Sequence, residues 1–246
     1  MIKRILIVLS LLLATNSMII AETTYLEYKV KFGIFGTVGT IKNVLTKDSK
    51  TYSIKTKVKL AGLAKMLMGG QVEEYVSQGH MKNGLMISDK YIMNTTKKNK
   101  IVKKEYTINH IKKYVTRRYR KWIDGKLVQE RSNTLKFYAK DDLLTLYFNL
   151  GQAIKQKGKT YAFKAVGLEK QEGIVKITVP SDATSASYKK DLGNGAKLYA
   201  KARIHQKNFR KKKGDILLAI GHDGFIQKSV IKDVLMYGDA KLIRTR

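Results

Sequence analysis

Residues 51–60, TYSIKTKVKL, alternate without exception: Tyr52, Ile54, Thr56, Val58 and Leu60 share one parity, and Thr51, Ser53, Lys55, Lys57 and Lys59 the other. Successive side chains of a strand point to opposite faces, so this run reads as a β-strand with one buried face and a row of lysines on its outer side. The same two-residue period returns along most of the chain, interrupted roughly every ten residues by turn signals such as KNG at 82–84, Asp124-Gly125 and HDGF at 222–225. Strands are expected at 25–32, 40–46, 71–79, 85–94, 101–110 and 114–123, then on through 139, and at 161–167, 173–179, 196–206, 215–221 and 226–238. That is about a dozen antiparallel strands with near-neighbour connections.

Two segments break the period. In DDLLTLYFNLGQAIKQK (141–157), Leu143, Leu146, Tyr147, Leu150 and Ile154 recur at helical spacing behind an Asp placed to cap the helix, and Leu144 and Phe148 widen the apolar face. AGLAKMLMGG (61–70) predicts a short helix stopped by Gly69-Gly70, with Leu63, Met66 and Leu67 on one face. The expected fold is therefore mainly β: a single, strongly curved antiparallel sheet or incomplete β-barrel. One main helix packs against its concave face, and a second, short helix accompanies it. A curved sheet with a helix at its mouth forms an apolar cavity. Leu143 and Tyr147 are its candidate lining. Leu63, Met66 and Leu67 are candidates for a lid, since flanking glycines permit movement and methionine adapts to varied apolar shapes. The other reading of that short helix is a fixed plug at one end of the core.

The first residues have a different character. Lys3 and Arg4 precede an apolar run from Ile5 to Ala14, then a more polar patch and Ala21. This is the order of a secretory signal peptide, with cleavage expected after Ala21 and a single β-rich periplasmic domain over 22–246. The apolar run is too short for a good membrane span. The chain has no cysteine, which removes thiol catalysis and thiolate metal sites. At 246 residues it can bury an adequate core without disulfides.

The formal net charge is +30, with lysine outnumbering arginine 40 to 9. Arginine, with its planar fork, is the residue favoured where phosphate is recognised, so this lysine excess reads first as a solvated surface. The richest basic cluster is YVTRRYRKWI (114–123), where Arg118, Arg120 and Lys121 interleave with aromatic residues. Alternation sets Arg118, Arg120 and Trp122 on one face and Arg117, Tyr119 and Lys121 on the other, which suggests an edge or protruding hairpin. Its candidate partner is an anionic envelope lipid or polysaccharide rather than nucleic acid, which an exported protein does not meet. The competing reading is an edge strand guarded by charge.

Signals for catalysis are weak. His80, His110, His205 and His222 are far apart in sequence and show no metal-ligand spacing, so neither a metal site nor a cofactor is expected. Asp141-Asp142 are placed to cap a helix rather than to act as an acid–base pair. No Gly-x-Ser-x-Gly elbow is present. GIFGTVG (33–39) is not followed by a helical pattern, so it reads as a hairpin and not as a phosphate loop.

Three stretches, YKVKFGIFGTVGTIKNVL (28–45), FYAKDDLLTLYFNL (137–150) and LLAIGHDGFIQKSVIKDVLMYGDAKLI (217–243), together resemble exported bacterial proteins carrying the domain of unknown function DUF3108. The resemblance covers most of the mature chain and rests on strand and turn patterns. It implies an envelope location and a β-rich fold, and it carries no catalytic residues. The leading expectation is a non-enzymatic periplasmic binding or envelope-maintenance protein that holds an amphiphilic or lipid-like ligand. The alternatives are an envelope enzyme acting on an anionic glycan or lipid, and an outer-membrane β-barrel with lysines lining an anion pore. The mid-chain helix counts against the barrel.

Overall fold

The computed structural model describes residues 21–61, 70–168, 170–204, 214–232 and 238–246. Residues 1–20, which hold most of the expected signal peptide, the expected short helix with Leu63, Met66 and Leu67, and His205 lie outside the described residues.

The described chain forms β1 (Glu22–Phe32), β2 (Thr37–Lys47), β3 (Thr51–Leu60), β4 (Val72–Lys82), β5 (Leu85–Lys97), β6 (Lys100–Asn109), β7 (Tyr114–Ile123) and β8 (Lys126–Thr134). It continues with β9 (Asp141–Asp142), α1 (Leu143–Ala153), β10 (Thr160–Val166), β11 (Ile174–Thr178), α2 (Ser185–Leu192), β12 (Leu198–Ile204), β13 (Gly214–Ile220), β14 (Ile226–Ile231) and β15 (Ala240–Arg244). All fifteen strands join one sheet in the order β8-β7-β6-β5-β4-β3-β2-β1-β15-β14-β13-β12-β11-β10-β9. Neighbours are antiparallel except β9 and β10. The sheet is open, with β8 and β9 as its ends, but it curls until β9 lies against β5. There the Ser88 amide donates to the Lys140 carbonyl at 3.2 Å.

The alternating run 51–60 is β3 to the residue, with Tyr52, Ile54 and Thr56 buried and Lys55, Lys57 and Lys59 exposed. Asn83-Gly84 and Asp124-Gly125 both adopt positive φ, as two-residue hairpin turns with right-handed strand twist require. Two expectations are corrected, and one helix is new. The strand expected over 226–238 ends at Ile231, and β15 is a separate strand inserted between β14 and β1, with Arg244 opposite Tyr28. The main helix ends at Ala153 instead of 157, with the Ile154 amide donating to the Leu150 carbonyl at 3.0 Å. Helix α2 had no counterpart in the sequence reading. Its exposed residues are mostly polar, but Tyr188 and Leu192 pack on Tyr199, Leu217, Ala219 and Val230, on the outer side of the sheet. Lys232 ties it down, with Nζ 2.9 Å from both Asp191 and Asp239. Because α2 covers that side, β13 is apolar on both faces and its sequence ILLAI does not alternate.

Helix α1 is the pillar round which the sheet wraps. Leu146, Leu150 and Ile154 pack with Ile177, Leu218 and Ile226 from the second half of the sheet. Phe148 packs with Leu26, Tyr28, Leu45 and Ile54 from the first half, and Leu144 reaches Tyr91 and Tyr106. At Gly151 the helix backbone meets the 221–225 turn so closely that an added Cβ would lie 2.2 Å from the Gly224 carbonyl oxygen, so only glycine fits there.

Candidate functional site

The first turns of α1 and the inner face of β1–β5 leave a groove of about 310 Å³ between them. Ile41, Val58, Met93, Leu143, Leu144 and Leu242 make it apolar, and Asn43, Thr56 and several tyrosines add polar points. Leu143 and Tyr147, the candidate cavity lining, both border this groove. Asn43 and Thr56 satisfy each other, the Thr56 hydroxyl donating to Asn43 Oδ1 at 2.6 Å. Burial pushes the Tyr91 and Tyr147 phenols well above the usual range, so both stay neutral.

A second, more polar cavity of about 570 Å³ adjoins the groove. The adjacency follows from the strands, because Leu26, Leu45 and Arg244 of this cavity lie two residues along β1, β2 and β15 from Tyr28, Asn43 and Leu242 of the groove. Lys47, Lys197, Arg244 and Arg246 give it a basic mouth. Arg244 Nη1 lies 2.7 Å from Asp223 Oδ2. Tyr28 lines the groove and Phe148 the second cavity, and both rings are buried.

Beneath the groove lies a buried polar network. Asp142 caps α1, accepting from the Leu144 and Thr145 amides at 2.7 and 3.0 Å, as the sequence predicts. Its second oxygen accepts from the hydroxyls of Ser77 at 2.6 Å and Thr145 at 2.8 Å. The Tyr52 hydroxyl completes the cluster, 3.0 Å from Ser77 Oγ and 2.7 Å from Thr145 Oγ1. Burial raises the Asp142 carboxyl above its ordinary value despite these hydrogen bonds. Asp141 is also buried, and one of its oxygens has no partner. Desolvation pushes its carboxyl up to about 7, with Lys140 opposing the shift and Asp142 adding to it. The network joins α1 to β3 and β4 and is closed to solvent, which suits a structural clamp rather than a reacting centre.

The basic hairpin is placed differently from the expectation. β7 is the second strand from the end of the sheet, and β8 is the edge. Arg118 is ion-paired with Glu130, Arg120 Nη2 lies 3.4 Å from Glu105, and the Arg120 guanidinium sits 5.5 Å above the Trp122 ring. These guanidiniums therefore have acidic partners within the sheet. Along β3, Lys57 pairs with Glu74 while Lys55 and Lys59 point outward from the exposed side.

One cluster escaped sequence reading. His80, at the end of β4, and His110, just after β6, converge on Asp89 of β5. Thirty residues separate the histidines, and no local spacing joins them. The one local signal is a slip of parity in β5. Met86 and Ser88 belong to the interior before Asp89, and Tyr91 and Met93 after it, so an extra residue lies between.

The fold is that of an open, curled antiparallel sheet wrapped round a central helix. No protein-family model matches the chain, and no curated protein matches it either. Among solved structures, it is similar to the crystal structure of a beta-barrel-like protein of domain of unknown function DUF1849 from Brucella abortus. The TM-score is 0.48 at 11% identity, over 90% of this chain and 95% of that one.

Proposed function

We propose that this is an exported, non-enzymatic binding protein whose groove beside α1 holds the apolar part of an amphiphile. The observation that carries the reading is the groove itself: an apolar concavity formed by Ile41, Val58, Met93, Leu143 and Leu144. A concave, mostly apolar surface with a few fixed polar groups is the usual form of a small-molecule site. The adjoining basic mouth, with Arg244, Arg246, Lys47 and Lys197, suits an anionic headgroup. The signal-like first residues and the likeness to DUF3108 proteins support an envelope location.

Titration with a fluorescent fatty-acid probe tests this. The wild-type protein is expected to bind it saturably. Val58→Trp, which fills the groove, is expected to weaken binding at least about tenfold, as losing about 1.4 kcal/mol would. Far-UV circular dichroism should be unchanged. Arg244→Gln should weaken binding less, and only at low salt, since a partly exposed charge is screened over about 10 Å at 0.1 M. Absence of saturable probe binding by the wild type would overturn the reading.

The net charge of +30 gives the protein a long-range attraction for anionic surfaces, and with Arg118 and Arg120 already paired, we assign that attraction to the whole surface rather than to the hairpin. Replacing Arg118, Arg120 and Lys121 together by glutamine is expected to lower affinity for phosphatidylglycerol vesicles no more than replacing Lys55, Lys57 and Lys59. A clearly larger loss from the first triple variant would restore the hairpin as a specific site.

A further inference from the structure

We propose that His80, Asp89 and His110 form a binding site for a single divalent transition-metal ion. The site is assembled by a β-bulge. Gln78 pairs with Lys90 and Gly79 with Ser88, which leaves Asp89 as the extra residue on β5. Bulges re-aim side chains, and here the extra residue directs Asp89 to the side of the sheet that carries His80. Glycine at position 79 is a condition of this arrangement, because an added Cβ would lie 1.9 Å from the Ile87 carbonyl oxygen.

The distances suit an ion. His80 Nδ1 is 3.0 Å and His110 Nε2 is 3.1 Å from the same oxygen, Asp89 Oδ1. Metal bonds of about 2.1 Å set adjacent donors about 3.0 Å apart at right angles and about 3.4 Å apart at the tetrahedral angle usual for Zn²⁺, so the donors need to part by only a few tenths of an ångström. The two rings stand edge to face with centroids 5.4 Å apart, so a small inward movement aims both lone pairs at one point. His110 is also oriented from behind, its Nδ1 lying 2.9 Å from the Tyr138 hydroxyl. Imidazole ligands of metals are regularly held in this way through their second nitrogen. Without metal, His110 Nε2 lies 2.9 Å from the Ser88 carbonyl oxygen, a distance that calls for a proton on that nitrogen. Metal binding requires the ring proton on Nδ1, where it is donated to the Tyr138 oxygen while the phenol keeps its own proton and turns it away, so this change of tautomer releases no proton.

Two imidazoles and one carboxylate favour Zn²⁺, Co²⁺ or Ni²⁺ over Ca²⁺ and Mg²⁺, which prefer oxygen-only shells. The three side chains are 40, 48 and 25% exposed, so water can complete the coordination shell. The neighbouring Lys90 does not oppose the ion directly, since its ammonium is 2.8 Å from Glu105.

The test is titration of the untagged protein with Co²⁺ and Zn²⁺, followed by calorimetry and by Co²⁺ absorption. One equivalent is expected to bind saturably. His80→Gln, Asp89→Asn and His110→Gln should each weaken binding at least about tenfold, and Tyr138→Phe about tenfold, as loss of an orienting partner does. His222→Gln, at an exposed histidine outside the cluster, should bind like the wild type. If a ligand variant folds poorly, the wild type decides the matter: Co²⁺ should shift the imidazole proton resonances of His80 and His110 and leave those of His222 in place. No saturable binding, unshifted His80 and His110 resonances, or wild-type affinity in any folded ligand variant would overturn the proposal.

Discussion

Replacing Asp142 by alanine is expected to remove about 3–5 kcal/mol of stability: a lost helix cap worth about 1 kcal/mol and two buried hydroxyls left short at about 1–3 kcal/mol each, less the relief of a buried charge. The carboxylate accepts from two amides of α1 and from the Ser77 and Thr145 hydroxyls, and the Tyr52 hydroxyl is held through those two. Alanine would leave all of these groups in an interior that water does not reach. Relief of the buried charge offsets part of the loss. Asp142→Asn keeps one carbonyl oxygen for the cap, and the hydroxyls can rotate to accept from its amide, so its loss should be less than half as large. Urea denaturation with an unchanged m-value checks both variants. Equal losses for alanine and asparagine would show that the negative charge itself, rather than the cap and hydroxyl partners, holds α1 to β3 and β4.

The neighbouring carboxyl should behave in the opposite way. Asp141 is held at about 7 in the folded protein against an ordinary value of 3.8. A carboxyl raised by folding binds more protons in the native than in the unfolded chain between those two values. Stability therefore falls as pH rises through this interval, and the loss is complete above about 7. Between pH 8 and pH 5 the wild type is expected to gain about 2–3 kcal/mol from this group, at 1.36 kcal/mol per pH unit below the folded value. Asp141→Asn should lack that gain and should exceed the wild type in stability at pH 8. Parallel stability–pH curves for the two proteins would show that Asp141 ionises without hindrance.

The period of each strand was legible because it is a local property. β3 needs only one buried face to alternate, and TYSIKTKVKL records that face in full. The start of α1 was equally local, since Asp142, Leu143, Leu146 and Tyr147 place the cap and the apolar stripe within two turns. α2 was missed because its eight residues are mostly polar and it is held by a few contacts to Tyr199, Leu217 and Val230, far from it in the pattern. β15 lies beyond the last expected strand, 226–238, because its five residues carry little pattern of their own, and pairing with β1, at the other end of the chain, makes them a strand.

The candidate sites divide in the same way. Leu143 and Tyr147 could be placed on a concave apolar surface from their helical spacing alone. The basic mouth depends on β15 lying beside β1, and the ion pairs of Arg118 and Arg120 depend on Glu130 and Glu105 standing across from them on neighbouring strands. The cluster of His80, Asp89 and His110 needs strand pairing and a one-residue bulge opposite Gly79. By itself the sequence determined a curved, half-buried antiparallel sheet with a capped helix against it, because alternation and capping act between residues a few positions apart. The tertiary structure alone decided which strands are neighbours and which side chains meet, because those choices depend on burying faces contributed by distant parts of the chain.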